Sequence, residues 1–174
     1  LYRYLYESRP DQREKQSLFG LLKRDFGGID ILINNAGVGV EGPILEARYA
    51  DWDFGMSVNL GGVVNGIVSF LPQMIAHGRG GHIVNTASLA AAVMMPEQFV
   101  IYSASKAAVL NLSENMREVL GQKGIGMSVL LPAFVKSNIH ETGQNRPAHL
   151  RGDSGFGASE KALSEREVQS EWME

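Results

Sequence analysis

Apolar positions change period along this chain, and the changes mark its elements. Between residues 12 and 26, Leu18, Leu21, Leu22 and Phe26 recur at helical spacing, and Gly27-Gly28 ends the run. Ile29-Asp30-Ile31-Leu32-Ile33 is short and nearly continuous in apolar side chains, which predicts a strand buried on both faces of a parallel sheet. From 56 to 77 the apolar residues sit almost all round a helical wheel. That pattern predicts one helix buried on more than one side, against the sheet and against another subunit. Residues 77–81 read as a turn, 82–87 as a strand and 102–120 as the next helix. A second turn at 121–126 leads into a third strand at 127–131, which Pro132 stops. Residues 2–6 are consistent with a further strand, and Ser8-Arg9-Pro10-Asp11 with a turn and helix start. Beyond Pro132 the chain is polar and irregular, with a charged helical pattern from Ser159.

Short apolar strands alternating with long helices predict right-handed βαβ units, a parallel sheet and helices on both of its faces. The 174 residues fit one domain, and 44% hydrophobic with 20% charged content suits a soluble globular core. The net charge of −3 offers no basic surface for nucleic acid. Zero cysteines exclude disulfides, a thiol nucleophile and thiolate metal sites, and fit a reducing, cytoplasmic setting. No unbroken apolar run approaches the roughly 18–20 residues of a membrane span, and no basic-then-apolar leader is present. The chain opens at Leu1, has its first methionine at Met56 and stops at Glu174 within a polar stretch. The expectation is therefore a piece of a longer protein, truncated at both ends.

In open parallel sheets, ligands bind beyond the carboxyl ends of the strands. The segments there are Asn34-Asn35-Ala36-Gly37, Asn85-Thr86-Ala87-Ser88 and Pro132-Ala133-Phe134-Val135-Lys136-Ser137. Polar or small residues stand in all three. The sharpest local signal is Tyr102-Ser103-Ala104-Ser105-Lys106. A Tyr and a Lys four apart share a helix face. A neighbouring ammonium draws the phenol down from its ordinary pKa near 10, which makes it usable as a general acid or base. Taken alone, the pair also fits an ordinary solvated helix. His77, His82, His140 and His149 have no metal-ligand spacing, so no metal site is expected.

Asn34-Asn35-Ala36-Gly37 after a strand, Asn59, Ser88, and Tyr102 with Lys106 follow one another in this order. The combination resembles the short-chain dehydrogenase/reductase family over roughly residues 8–137. The resemblance implies a three-layer Rossmann-type α/β fold and a hydride-transferring oxidoreductase that uses NAD or NADP on a carbonyl or secondary alcohol. Under it, Tyr102 is the general acid or base, and Lys106 lowers its pKa and bonds the nicotinamide ribose. Ser88 holds the substrate oxygen, and Asn59 holds a water that completes a proton relay. Asn35, Ala36, Gly37, Pro132, Val135 and Ser137 join Tyr102 and Lys106 as cofactor-binding residues. Plainer readings stand beside these roles: Asn59 as a buried amide capping backbone, Ser88 as an N-cap, Asn35 as a tie between strands.

Two positions depart from the family pattern. Ala133 stands where many members have Gly, and a backbone needing φ > 0 would be strained there. Ser8 stands near where many members carry an Asp that bonds the adenine. No Gly-x-x-x-Gly-x-Gly phosphate loop occurs in the chain. By the resemblance, that loop and the residue choosing NAD or NADP would precede Leu1, and a final strand would follow Glu174.

The expected organisation is one partial domain over 1–174, with a substrate-loop region at 138–174. The substrate pocket is expected from Val38, Gly39, Ala90, Met94, Met95, Phe99, Phe134 and residues 139–150, an apolar and Met-rich lining that suits a hydrophobic ketone or alcohol. The expected partners are that small molecule and further copies of the chain as a homo-oligomer, with no nucleic acid and no membrane. The alternatives are a cofactor-sensing regulator on the same fold, or an epimerase or dehydratase of the extended relatives.

Overall fold

The computed structural model describes residues 18–151 and Phe156. The expected features at 2–6, at 8–11 and beyond Ser159 lie outside the described residues. In chain order the elements are α1 (Leu18–Phe26), β1 (Ile31–Asn34), α2 (Tyr49–Asn59), α3 (Gly61–Ala76), β2 (Gly81–Thr86), α4 (Val100–Gly121) and β3 (Ile125–Leu130). Short 3-10 turns stand at Ile44–Glu46, Leu89–Ala91, Glu97–Phe99, Ile139–Asn145 and Ala148–Leu150.

The three strands form one parallel sheet in the order β1-β2-β3, as the alternating pattern predicts. Leu32 pairs with Ile83, and Ile83 with Met127. The turns into β2 and β3 use Gly80 and Gly124 at φ 79° and 70°, where a side chain would be strained. Gly81 N donates to Gly124 O over 3.2 Å, so the two entry turns are tied together and the strands start level.

Burial follows the pleat. Leu32, Ile83, Ile125 and Met127 point to one face, where Met74 of α3 and Leu120 of α4 close the core. Nearer the site, Val63 and Ile67 of α3 meet Ala87, just after β2, and Val109 of α4, which places the two long helices side by side over that face. The other face of β1 differs from expectation. Ile31 is 63% and Ile33 61% exposed, because no described element covers them. The strand therefore alternates instead of being buried on both sides.

The single helix expected over 56–77 is two helices. It starts earlier, at Tyr49, and breaks at Leu60 ahead of Gly61-Gly62. Adjacent glycines carry a high backbone entropy cost in a helix, and here they follow the break. The early start was hidden because Arg48, not a Ser or Thr, holds the cap position. The Asp51 carboxylate accepts from Arg48 N over 2.8 Å instead. Taken together, Tyr49–Ala76 is long and apolar enough to cross a membrane by length and composition only, and the break at Leu60 divides it into two helices. In the fold, Val63, Ile67 and Met74 of this stretch pack on the sheet and α4.

Candidate active site

The site is built where β1, β2 and β3 end and α4 begins. Tyr102 lies in the first turn of α4, and Lys106 one turn later. Lys106 Nζ stands 5.8 Å from the centroid of the Tyr102 ring, so the spacing puts both groups on one face as expected. The lysine is 2% exposed, and its ammonium donates to Thr86 O over 2.9 Å. Burial lowers its pKa to about 8, because the charged form loses hydration.

The phenol moves the other way. Burial raises the Tyr102 pKa above its ordinary value, a hydrogen bond from Ser88 opposes the rise, and the charge of Glu41 adds to it. The expected lowering by Lys106 does not govern here: the ammonium lies over the ring and is bonded to Thr86 O. Glu41, on the segment after β1, is a neighbour of the phenol that the sequence did not point to.

Ser88 serves two neighbours. Its Oγ accepts from Ala90 N over 3.2 Å, the cap its spacing suggested, and its hydroxyl opposes the rise in the Tyr102 pKa. Asn59 is fully buried at the end of α2. Its Oδ1 accepts from Val38 N over 2.8 Å, and its Nδ2 donates to Val38 O at 3.1 Å and Ser105 Oγ at 2.9 Å. The amide thus caps backbone, the plainer of its two readings. Ser105 Oγ passes the link on by donating to Tyr102 O over 2.7 Å.

Gly37 fits between these groups. A Cβ there would lie 3.1 Å from Lys106 Nζ and 3.3 Å from Asn59 Oδ1. Asn35 and Ala36 are exposed at the end of β1, and Asn35 Oδ1 accepts from Thr86 Oγ1 over 2.9 Å, tying β1 to β2. Pro132 O accepts from Leu89 N over 2.9 Å and holds the segment after β3 to the Ser88 turn. Val135 and Ser137 are exposed on that segment. No hydrogen bond among the described residues joins them to Tyr102 or Lys106. Ala133 is unstrained, since among the described residues none other than glycine has a positive φ.

Three members of the expected pocket lining, Val38, Gly39 and Ala90, belong to the interior instead. Val38 packs in a core with Val40, Phe54, Ile101 and Phe156, and Ala90 is buried. Met94 and Phe134, by contrast, are 99% and 85% exposed beside the site. Sequence reasoning also missed a polar ladder beneath it. Asn34 Nδ2 donates to Asn85 Oδ1 over 2.9 Å, Asn85 Nδ2 to Ser113 Oγ over 2.9 Å, and Ser113 Oγ to Val109 O over 2.7 Å. The Asn34-Asn35 and Asn85 polar residues at strand ends were its visible sign; Ser113, on a helix far along the chain, gave none.

A Tyr–Lys pair, a Ser on the phenol and a small-residue strand end now stand together, and residues 6–147 match the short chain dehydrogenase family. The chain belongs to that family. It is 46% identical over 138 residues to a C alpha-dehydrogenase from Sphingobium sp., covering 77% of this chain and 43% of that one. It superimposes with a TM-score of 0.75 at 37% identity on a short chain dehydrogenase/reductase from Burkholderia phymatum solved with NAD, covering 82% and 53% of the two chains. A gluconate 5-dehydrogenase from Burkholderia cenocepacia, solved with NADP and tartrate, aligns with a TM-score of 0.66 at 30% identity over 76% and 51%. The chain thus spans about half the length of these relatives.

Proposed function

We propose that this chain is the catalytic part of a nicotinamide-dependent oxidoreductase that interconverts a carbonyl and a secondary alcohol. The observation that carries the reading is Lys106 over the Tyr102 ring at 5.8 Å with Lys106 buried beside it. A dinucleotide fits the residues around that pair. Lys106 makes one hydrogen bond among the described residues and keeps two N–H groups for a ribose diol. The small Gly37 and the exposed Asn35 and Ala36 leave backbone open beside it. Tyr102, Lys106, Asn35, Ala36, Gly37, Pro132, Val135 and Ser137 would hold the nicotinamide ribose and ring.

When bound, the nicotinamide supplies the hydride in reduction or takes it in oxidation. Tyr102, whose raised pKa keeps it protonated at neutral pH, gives its proton to the carbonyl oxygen as the carbon is reduced. Ser88 turns its hydroxyl from the phenol to the same oxygen and steadies the charge developing there. Asn59 fixes Val38 and Ser105 behind the pair, which leaves a water bonded at this junction to return protons toward Lys106.

The substrate side is formed by the exposed Met94 and Phe134 with residues 138–151 of the substrate-loop region, which suits a hydrophobic ketone or alcohol. Exposed Val64, Val68 and Ile75 of α3 and Val119 of α4 suit a homo-oligomeric interface, and the lack of cysteine suits the cytoplasm. The test is turnover of an aryl ketone such as acetophenone by the complete gene product with NADH or NADPH. Loss of reduced-nicotinamide absorbance in the wild type, abolished in Tyr102→Phe, is expected. Equal rates in the two would overturn the reading.

A further inference from the structure

Away from the Tyr102–Lys106 pair, one buried ion pair joins two segments distant in sequence. Arg146 Nη2 lies 2.6 Å from Asp51 Oδ1, with the arginine 8% exposed and the aspartate fully buried. Asp51 lies in the first turn of α2, its other oxygen accepting from the N–H of the cap residue Arg48 over 2.8 Å. Arg146 lies between the 3-10 turns Ile139–Asn145 and Ala148–Leu150, in the stretch that leaves the carboxyl end of β3. Its guanidinium also sits 5.5 Å from the centroid of the Phe54 ring, and its carbonyl accepts from Arg151 Nε over 3.0 Å.

Two apolar contacts accompany the pair, from residues that follow Arg146 in the chain. Leu150 packs against the core of Val38, Val40, Phe54 and Ile101, and Phe156 belongs to that core. The Phe156 ring covers Gly42, leaving no room for a side chain there. Gly42 N in turn donates to Gln98 O over 3.0 Å, close before Tyr102 in sequence. The far end of α2, about 12 Å from Asp51 along the helix axis, is Asn59, which holds Ser105 behind Tyr102.

We propose that Asp51 and Arg146 are positioning residues: their ion pair clasps residues 139–151 to α2 and so fixes the substrate side of the site. The inference rests on the reading of that stretch as the substrate loop. The pair is buried, and Arg146 Nε and Nη2 make no hydrogen bond among the described residues, so Asp51 is the charge that compensates the guanidinium. Removing one leaves a buried charge without its counterpart. The Asp51 side of the clasp sits in a regular helix packed on α3 and α4, whereas 139–151 carries only short 3-10 turns, so that side is the one released.

Amide hydrogen exchange on the complete gene product tests the clasp directly. Arg146→Met and Asp51→Asn should each accelerate exchange across 139–150 by roughly tenfold or more, with β1–β3 within roughly twofold of wild type. Asp51→Asn keeps an oxygen for Arg48 N, so it serves where Arg146→Met folds poorly. Arg146→Lys should restore part of the protection. The double variant should exchange no faster than the faster single one, since both remove one interaction. With NADPH and acetophenone, the clasp variants should raise KM while kcat stays within roughly threefold, a split that general destabilisation would not give. Unchanged exchange at 139–150, or equal acceleration in the sheet, would overturn the proposal. A wild type that turns over no ketone counts against the reductase reading alone, and the exchange pattern still decides the clasp.

Discussion

Ser105 Oγ stands 2.9 Å from Asn59 Nδ2 and donates to Tyr102 O over 2.7 Å. The last residue of α2 is thereby tied to the first turn of α4, the turn that carries the phenol. Both partners are fully buried, so neither finds water if the other is removed.

Asn59→Leu deletes the bond to Ser105 Oγ and both bonds to Val38, whose N–H and C=O are left without their partners. At about 1–3 kcal/mol for each buried group left unsatisfied, a loss of about 3 kcal/mol is expected. Ser105→Ala, which removes a single hydroxyl, should cost about 1–2 kcal/mol. Urea unfolding of the two variants checks the order. A milder effect from Asn59→Leu than from Ser105→Ala would mean that the amide is not what joins the helices.

Tyr102→Phe separates chemistry from packing. The ring stays under Lys106, and only the bond with Ser88 is lost. Turnover should fall by about 10²–10⁴, the ordinary worth of a positioned general acid. The thermal midpoint should stay within roughly 4 °C, since one partly buried hydrogen bond is worth about 1 kcal/mol. Rate assays beside thermal unfolding decide it, and a folded variant that retains full activity would remove Tyr102 from the reaction.

Gly66 is set by the polar ladder under the site. A methyl group added there would run into the Asn34 side chain, which is bonded to Asn85 across the strands. Helix propensity alone would make Gly66→Ala stabilising by about 0.5–1 kcal/mol. Overpacking should win and destabilise by about 1–3 kcal/mol, because α3 has to move off β1 or Asn34 has to leave Asn85. A stabilised Gly66→Ala in urea unfolding would show that Asn34 yields without cost.

Local signals carried much of this arrangement. The three apolar runs placed the strands within a few residues, and the four-residue spacing put Tyr102 and Lys106 together before any contact was known. What stayed hidden depends on partners far away in the chain. Asp51 reads as one more acidic residue until Arg146 folds back onto it, and Ser105 reads as filler inside the Tyr102–Lys106 motif. Val38 looked like a pocket wall because it follows the strand end, yet its side chain turns into the core with Ile101. The break at Leu60 was masked because apolar residues continue on both sides of it. The exposed Ile31 and Ile33 show the same limit: a continuous apolar run says what a strand can bury, not what covers it.

Burial of Lys106 makes a linked prediction about pH. Its pKa is about 8 in the fold against 10.5 for the free side chain, so between those values the unfolded chain holds a proton that the folded chain has released. Stability contributed by this group therefore rises with pH across that window, is complete above 10.5 and is lost as pH falls through about 8. The shift corresponds to about 3 kcal/mol at 1.36 kcal/mol per unit, an order-of-magnitude figure for a group buried this deeply. Lys106→Met keeps the apolar stem and cannot titrate. It should be more stable than wild type near pH 7, where the ammonium is charged and desolvated, and should lose that advantage as pH approaches 10.5. Taking the difference between the two proteins cancels the other titrating groups. Urea unfolding of both at several pH values across this range gives the curve. A difference that stays flat, or that grows with pH, would mean that the ammonium is hydrated or paired in solution and that burial does not lower its pKa.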